Sequence, residues 1–238
     1  MSWFVDNPHA VRGRSPWRIP GLIDTKSHGT FSPTQIADLY FWGAARLETG
    51  YSDTDAVSQL TDQSGNARHM TQADAGYKPT FRTNQINSLP AIDFASDYVG
   101  FSTYHELTES TYILVWSKDV AAANDAVLIY SGVAYPYLQY SSTWYVGSDT
   151  TTVAMTAATF YLKIASHSAS NGRIYRYTNS TDHGSSVTAI ASLFYDKIGS
   201  SAFALNGLVA EHLIYSRELT AVEVDSLRTY FNTLYSLW

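Results

Sequence analysis

The stretch from Phe203 to Trp238 reads FALNGLVAEHLIYSRELTAVEVDSLRTYFNTLYSLW. Its first half, Gly207 to Tyr215, is an apolar run rich in the residues that suit a half-buried pleat, and it predicts a strand. A polar link follows, Ser216-Arg217-Glu218-Leu219. Thr220 then stands where an N-cap is needed, with Glu223 three residues on, the pattern of a capping box, and Leu219 and Val224 are placed to form a hydrophobic staple. Val224, Leu227, Phe231 and Leu234 recur at helical spacing, so the chain ends in a strand, a link and an amphipathic helix. Within the strand, alternation puts one of Glu211 and His212 on the inner face. A lone strand histidine of this kind reads as a satisfied structural residue.

Upstream, short strands alternate with turns. The pattern predicts strands at Ala91–Val99, Thr111–Ser117, Ala126–Ser131, Tyr135–Tyr140, Thr143–Val146, Thr152–Met155, Thr159–Ser166, Arg173–Tyr177 and Asp196–Ile198. Many short strands punctuated by Gly, Ser, Asn and Asp imply an all-β sandwich or barrel. Before them, Ser32-Pro33-Thr34-Gln35 predicts a short capped helix with Phe31 and Ile36 as its staple. Leu39-Tyr40-Phe41-Trp42 predicts the first strand of the body. Residues 46–80 are polar and turn-rich, with Asp62-Gln63-Ser64-Gly65-Asn66 as the clearest turn.

Four of these segments, in order, resemble LamG-like (laminin-G-like, concanavalin A-type) jelly-roll domains. They are the opening strand Leu39 to Ala45, the run Val57 to Met70, the pair Lys78-Pro79-Thr80-Phe81 and Leu89-Pro90-Ala91-Ile92-Asp93-Phe94, and the strand-link-helix ending. In the second, relatives carry Val-x-x-Trp-x-Asp-x-Ser-Gly-Asn-x-x-His, against which this chain sets Asp62, Ser64, Gly65, Asn66 and His69. The resemblance covers roughly residues 35–238 and implies a two-sheet jelly-roll sandwich closed by a short C-terminal helix, with His69 structural. It specifies fold and leaves function to be argued from a site. The chain departs from the pattern at Ala44, where relatives often have Asp, at Leu60, where they often have Trp, and at Ala95-Ser96-Asp97. These departures count against a structural calcium near the first strand. Asp53, Asp55, Asp62, Asp93 and Asp97 are the oxygen donors available to such an ion, and each has a competing use as a turn cap. No cofactor is expected.

Residues 1–30 have a different character from the body. Pro8, Pro16 and Pro20 interrupt regular structure, while Arg12, Arg14, Arg18 and Lys26 outnumber Asp6 and Asp24. Trp3, Phe4, Val5 and Trp17 are too apolar for a free linker. The expected organisation is an extended anchoring arm, 1–30, followed by a sandwich domain, 31–238. Trp3, Phe4, Arg12, Arg14, Trp17 and Arg18 are its attachment residues. A formal net charge of −6 argues against a general nucleic-acid binder. With no cysteine, neither a disulfide nor a thiolate metal site is available. The basic residues of the arm interrupt any signal-like start, and no stretch is long and apolar enough to span a membrane as a helix.

Motifs of catalysis are sparse. Retaining glycosidases set two carboxylates about 5 Å apart, and a strand would offer them at alternate positions. The nearest acid pairs are Glu106 with Glu109, beside a turn, and Glu223 with Asp225, in the terminal helix. A lyase would need a base and a charge stabiliser, often Tyr with His or Arg, and eighteen tyrosines supply chance candidates too freely to single one out. No metal-binding His spacing, nucleophile elbow or phosphate loop is present. The one concentrated feature is aromatic. Tyr130, Tyr135, Tyr137, Tyr140, Trp144 and Tyr145 fall within sixteen residues, and Tyr135, Tyr137, Tyr140, Trp144 and Tyr145 are the candidate ligand-binding residues, since such rings carry large area and a polar handle.

The expectation is therefore a non-enzymatic surface-binding protein. Its form would be a bacteriophage capsid decoration protein or a tail or fibre adhesin, assembled into a virion in the host cytoplasm, homo-oligomeric, with other virion proteins as partners and a cell-surface glycan as ligand. A polysaccharide-degrading glycosidase or lyase and a purely structural subunit-contact protein are the alternatives.

Overall fold

In the computed structural model the described residues are 31–119, 126–131, 134–140, 143–146, 149–152, 155–170, 173–187, 191–199 and 205–238, with 126–152 described as backbone. The arm residues Trp3, Phe4, Arg12, Arg14, Trp17 and Arg18 lie outside them.

Among the described residues, sixteen strands precede one helix. In the first half they are β1 (Leu39–Ala44), β2 (Gln59–Leu60), β3 (Met70–Thr71), β4 (Thr80–Ile86), β5 (Leu89–Ala95), β6 (Tyr98–Leu107), β7 (Glu109–Lys118) and β8 (Ala126–Ser131). There follow β9 (Ala134–Tyr140), β10 (Thr143–Val146), β11 (Asp149–Thr152), β12 (Tyr161–Ser168), β13 (Arg173–Thr178), β14 (Thr181–Val187), β15 (Leu193–Gly199) and β16 (Asn206–Tyr215), then helix α1 (Ala221–Tyr235). They form two antiparallel sheets. The first runs β14-β13-β12-β7-β16-β5-β4, with β1 also on β16, and the second runs β11-β10-β9-β8-β15-β6-β3-β2. The chain is an all-β, concanavalin A-like jelly-roll sandwich with a C-terminal helix, as the order of its sequence segments implies.

The central strands of the first sheet are buried on both faces. From Ser110 to Ser117 every residue of β7 is buried. Tyr112, Leu114 and Trp116 point into the space between the sheets, against Val99, Phe101, Leu193, Tyr195 and Ile198 of the second sheet. Ile113 and Val115 point the other way, where Val224, Leu227, Phe231 and Tyr235 of α1 cover them. A strand covered on both sides reads as a continuous apolar run without alternation, which is the character of Tyr112 to Trp116.

Strand β16 carries two partners on one of its edges. Asn206–Val209 pair with β5 and Glu211–Tyr215 pair with β1, while β7 lies along the other edge. The register slips between Val209 and Glu211, so Ala210 is an extra residue. Val209 faces the sandwich interior and Ala210 the helix. The bulge thus shifts the alternation by one and sends Glu211 to the helix side and His212 to the interior. At the start of the strand Gly207, at φ 155°, lies so close to β7 that an added Cβ would sit 2.0 Å from the Ser117 carbonyl oxygen. Only glycine fits this approach.

The helix begins as its sequence dictates. Thr220 Oγ1 accepts from Glu223 N, and a Glu223 carboxylate oxygen accepts from Thr220 N at 2.9 Å. Arg217 forks onto Glu223 at 2.9 and 2.6 Å, and that pairing, against some burial, carries the Glu223 pKa down to about 2. Leu219 and Val224 are both buried in the layer beneath the helix. The Ser32 turn likewise forms its capping box, over a single 3-10 turn Pro33–Gln35.

The strands differ from the sequence pattern in places. Ala91–Val99 is not one strand, because Ser96 adopts φ 72° and separates β5 from β6. Of the strand expected at Thr152–Met155, Thr152 ends a strand, Asp149–Thr152, that pairs with β10, and Val153 and Ala154 lie outside the described residues. Strands β4, β6 and β14 fall where polar composition hides the pattern: much of β6 (Ser102, Thr103, Tyr104, Glu106) is exposed.

Candidate binding face

The residues that carry the family-like pattern build a scaffold. The Asp62 carboxylate, 7% exposed, accepts from the backbone N–H groups of Trp42 (3.0 Å), Ser64 (2.9 Å) and Arg68 (2.9 Å) and from the Ser64 hydroxyl (2.9 Å). His69 Nδ1 accepts from Asp62 N at 3.0 Å. Asn66 Nδ2 donates to the carbonyls of Leu39 and Tyr40. The Asp62, Ser64 and Asn66 side chains thus dock the turn to β1, while Gln63 turns back to the Thr61 carbonyl. A buried carboxylate holding four donors leaves no lone pair directed at a ligand.

The same turn places Arg68 over the Tyr40 ring, 3.9 Å from its centroid, with one guanidinium nitrogen donating to the Tyr40 carbonyl at 3.0 Å. The Tyr40 hydroxyl is 2.7 Å from His105 Nδ1. Tyr40 belongs to the first sheet and His105 to β6 of the second, so the group bridges the two sheets at their edge. All three side chains are half-buried. Burial, and then the positive charge of Arg68, hold His105 below its ordinary range.

The outer face of the second sheet is the other candidate. Tyr104 on β6 is 65% exposed and meets Phe194 of β15 edge-to-face, with ring centroids 5.7 Å apart. Towards the start of β6, Tyr98 packs against Tyr77 at 5.5 Å, and Lys197 lies over the Tyr98 ring. Glu106, exposed beside Tyr104, accepts from the Ser192 hydroxyl at 2.6 Å. Aromatic rings left open to solvent on one sheet face, with polar groups between them, are surface suited to stacking on a ligand. Sequence reasoning passed over Tyr104 and Phe194 because neither belongs to an aromatic cluster in the chain; β15 pairs with β6 from Leu107↔Leu193 to Tyr98↔Gly199 and brings them together.

The five sequence-derived candidates sit on strands of this same sheet, Tyr135, Tyr137 and Tyr140 on β9 and Trp144 and Tyr145 on β10. Tyr145 pairs with Leu138 and Trp144 with Gln139. The side chains of these five lie outside the described residues.

The remaining candidates have structural positions. Glu211, 1% exposed, accepts from Trp42 Nε1 (2.8 Å), Arg46 Nε (2.6 Å) and the Tyr235 hydroxyl (2.8 Å) beneath α1. Burial pushes its carboxyl upward against the pull of these donors; at contact distance from a guanidinium it stands as half of a buried ion pair. His212 is fully buried between Phe41 and Tyr112, at ring distances of 5.1 and 4.9 Å. It is structural but not satisfied, since neither ring nitrogen has a hydrogen-bond partner among the described residues, and burial lowers its pKa to about 3. Of the acids considered for calcium, Asp53 accepts from Thr83, Asp55 from Ser52 N, and Asp93 pairs with Arg82. Asp97 accepts from Ala95 N, and no metal-holding group of three forms among the described residues.

No protein-family model matches the chain and no curated protein matches it in sequence. Solved structures do. Trypanosoma rangeli sialidase in complex with sialic acid matches at TM-score 0.58 and 11% identity, over 83% of this chain and 33% of the sialidase. The binding domain of botulinum neurotoxin serotype D matches at TM-score 0.54 and 12% identity, over 81% of this chain and 50% of that one. The chain therefore spans about a third and a half of these neighbours, and at such identities the likeness is one of fold.

Proposed function

We propose that this chain is a non-catalytic binding module that recognises surface glycans through the outer face of its second sheet. The observation that carries the reading is the exposed Tyr104 ring on that face, held edge-to-face against the half-buried Phe194. On the first sheet α1 covers the central strands β12, β7 and β16 on the corresponding face. The non-catalytic half of the reading is supported by how the acids are used: Glu211, Glu223 and Asp62 are each engaged by two or more donors in the scaffold. One neighbour holds sialic acid and the other is a toxin's binding domain, which is in keeping with a binding role for the fold.

In its finer form the proposal is a bacteriophage virion component, a capsid decoration protein or a tail or fibre adhesin, attached through residues 1–30. The composition of that segment supports it, with Trp3, Phe4 and Trp17 among Arg12, Arg14 and Arg18. Two experiments test the two levels. Screening the protein and its Tyr104→Ala variant on a glycan array should give binding that the variant loses; binding unchanged in the variant, or release of sugar ends from any bound glycan, overturns the reading. Deleting residues 1–30 should abolish incorporation into particles, and undiminished incorporation refutes the virion attachment.

A further inference from the structure

We infer that Arg68 and His105 form a subsite for an anionic group, the carboxylate of an acidic sugar, at the edge where the two sheets meet. The inference rests on the glycan-binding reading for the sugar but not for the anion.

The geometry begins with Tyr40. Its ring carries the Arg68 guanidinium at 3.9 Å, and its hydroxyl holds His105 Nδ1 at 2.7 Å. Both partners are thereby fixed without their outward donors being used. Arg68 spends one terminal nitrogen on the Tyr40 carbonyl and makes no ion pair among the described residues. A guanidinium has five N–H donors in a planar fork that matches a carboxylate. In the tautomer in which the Tyr40 hydroxyl donates to Nδ1, a neutral His105 carries its proton on Nε2 as a further donor. The acids of the same segments are turned elsewhere. Asp62 is filled by its four donors and Glu106 takes Ser192. Beyond Gly100, β6 pairs only with β15 among the described residues. Tyr104 and His105 are adjacent on β6, so their side chains leave opposite faces of the strand, His105 towards Tyr40 and Phe101 and Tyr104 towards solvent. An acidic glycan that engages both passes over the strand edge between them.

The test uses the full chain with labelled His and Arg side chains. Adding sodium glucuronate alone should shift the His105 ring and Arg68 Nε signals, and the His105 shift should vanish in Arg68→Gln. Absence of any shift, or a shift retained in Arg68→Gln, overturns the anion site. Oligogalacturonate is then compared with its carboxyl-reduced counterpart. The acidic form should bind about tenfold more tightly, Arg68→Gln should remove that advantage, and Tyr104→Ala should weaken both forms alike. Equal binding of the two forms sinks the acidic-sugar assignment. Binding of neither, with the glucuronate shifts intact, sinks the glycan reading and leaves the anion site standing.

Discussion

Replacing His212 with leucine should make the sandwich more resistant to acid. The imidazole is sealed between Phe41 and Tyr112 with no hydrogen-bond partner among the described residues for either nitrogen. Burial depresses its pKa from 6.5 to about 3. The unfolded chain therefore binds a proton between those values that the folded chain refuses, so stability rises with pH across that window. The neutral-ring contribution is complete above about pH 6.5 and is lost progressively as pH falls towards 3. At pH 4.5 two of those units have been traversed, and at 1.36 kcal/mol per unit the wild type has lost about 2.7 kcal/mol through this side chain. Leucine has a similar volume and cannot titrate. It also removes a buried donor and acceptor that lack partners, a burden of roughly 1–3 kcal/mol each, so His212→Leu should equal or exceed the wild type already at pH 7.5. Urea unfolding at pH 7.5 and 4.5 measures both terms. With a urea m-value of about 2–3 kcal/mol/M, the gap between the midpoints of variant and wild type should widen by about 1 M on acidification. A gap that is the same at both pH values would refute the assignment of a neutral, partnerless His212.

The other expectations concern the scaffold and the face. Arg46→Met strands the Glu211 carboxylate under α1 and should cost about 3–5 kcal/mol at neutral pH; because protonation relieves a stranded carboxylate, the deficit should shrink in acid, as denaturant titrations at two pH values would reveal. Asp62→Ala deprives three backbone N–H groups of their acceptor and should cost roughly 2–4 kcal/mol, measured by the same titration, with His69→Ala costing less because a single bond is lost. Thr220→Ala breaks the capping box and should remove about 1 kcal/mol, read as a lowered urea midpoint. The Glu223 contribution, whose folded pKa lies at about 2, should be present above its ordinary value of 4.5 and fade below it. Tyr104→Ala should leave stability within about 0.5 kcal/mol, as exposed substitutions do, while glycan binding is lost; a large stability change would mean that the ring packs inward.

Legibility in the sequence followed how much each element depends on its own residues. The start of helix α1 was readable because Thr220 and Glu223 are local signals that the structure uses unaltered. Its buried face follows Val224, Leu227 and Phe231 as the spacing implies but ends on Tyr235, with Leu234 only partly buried. Strands β7 and β16 were readable because burial on both faces gives each a largely apolar run, Tyr112–Trp116 and Leu208–Tyr215. Strand β6 was not, since half of it faces water and its register with β15 is irregular between Gly100 and His105. The partition of Glu211 and His212 between the faces was legible as an alternative only. The side each took depended on the bulge at Ala210, which has no sequence signature of its own. The Tyr104–Phe194 pair and the Tyr40–Arg68–His105 group were hidden for another reason. Their members lie 90 and up to 65 residues apart and meet only through strand pairing.

The side chains that resemble a family are used in the scaffold and not on the outer face of the second sheet, which explains why the resemblance gives fold without function. Asp62, Ser64 and Asn66 are used up in fastening a turn to β1, and β1 in turn shares an edge of β16 with β5. Leu60 and Gly43 belong to the same fastening, since an added Cβ at Gly43 would lie 2.5 Å from Leu60 Cδ2. A chain that departs from the pattern at Leu60 can keep the architecture by keeping a small residue opposite it. Nothing in this fastening constrains what stands on the outer face of β6 and β15. Replacing Gly43 with alanine should therefore destabilise the fold through that contact and leave the shape of the Tyr104–Phe194 face intact in whatever fraction remains folded. The glycan affinity per folded molecule would then match the wild type, whereas a loss of intrinsic affinity would show that the scaffold and the face are coupled.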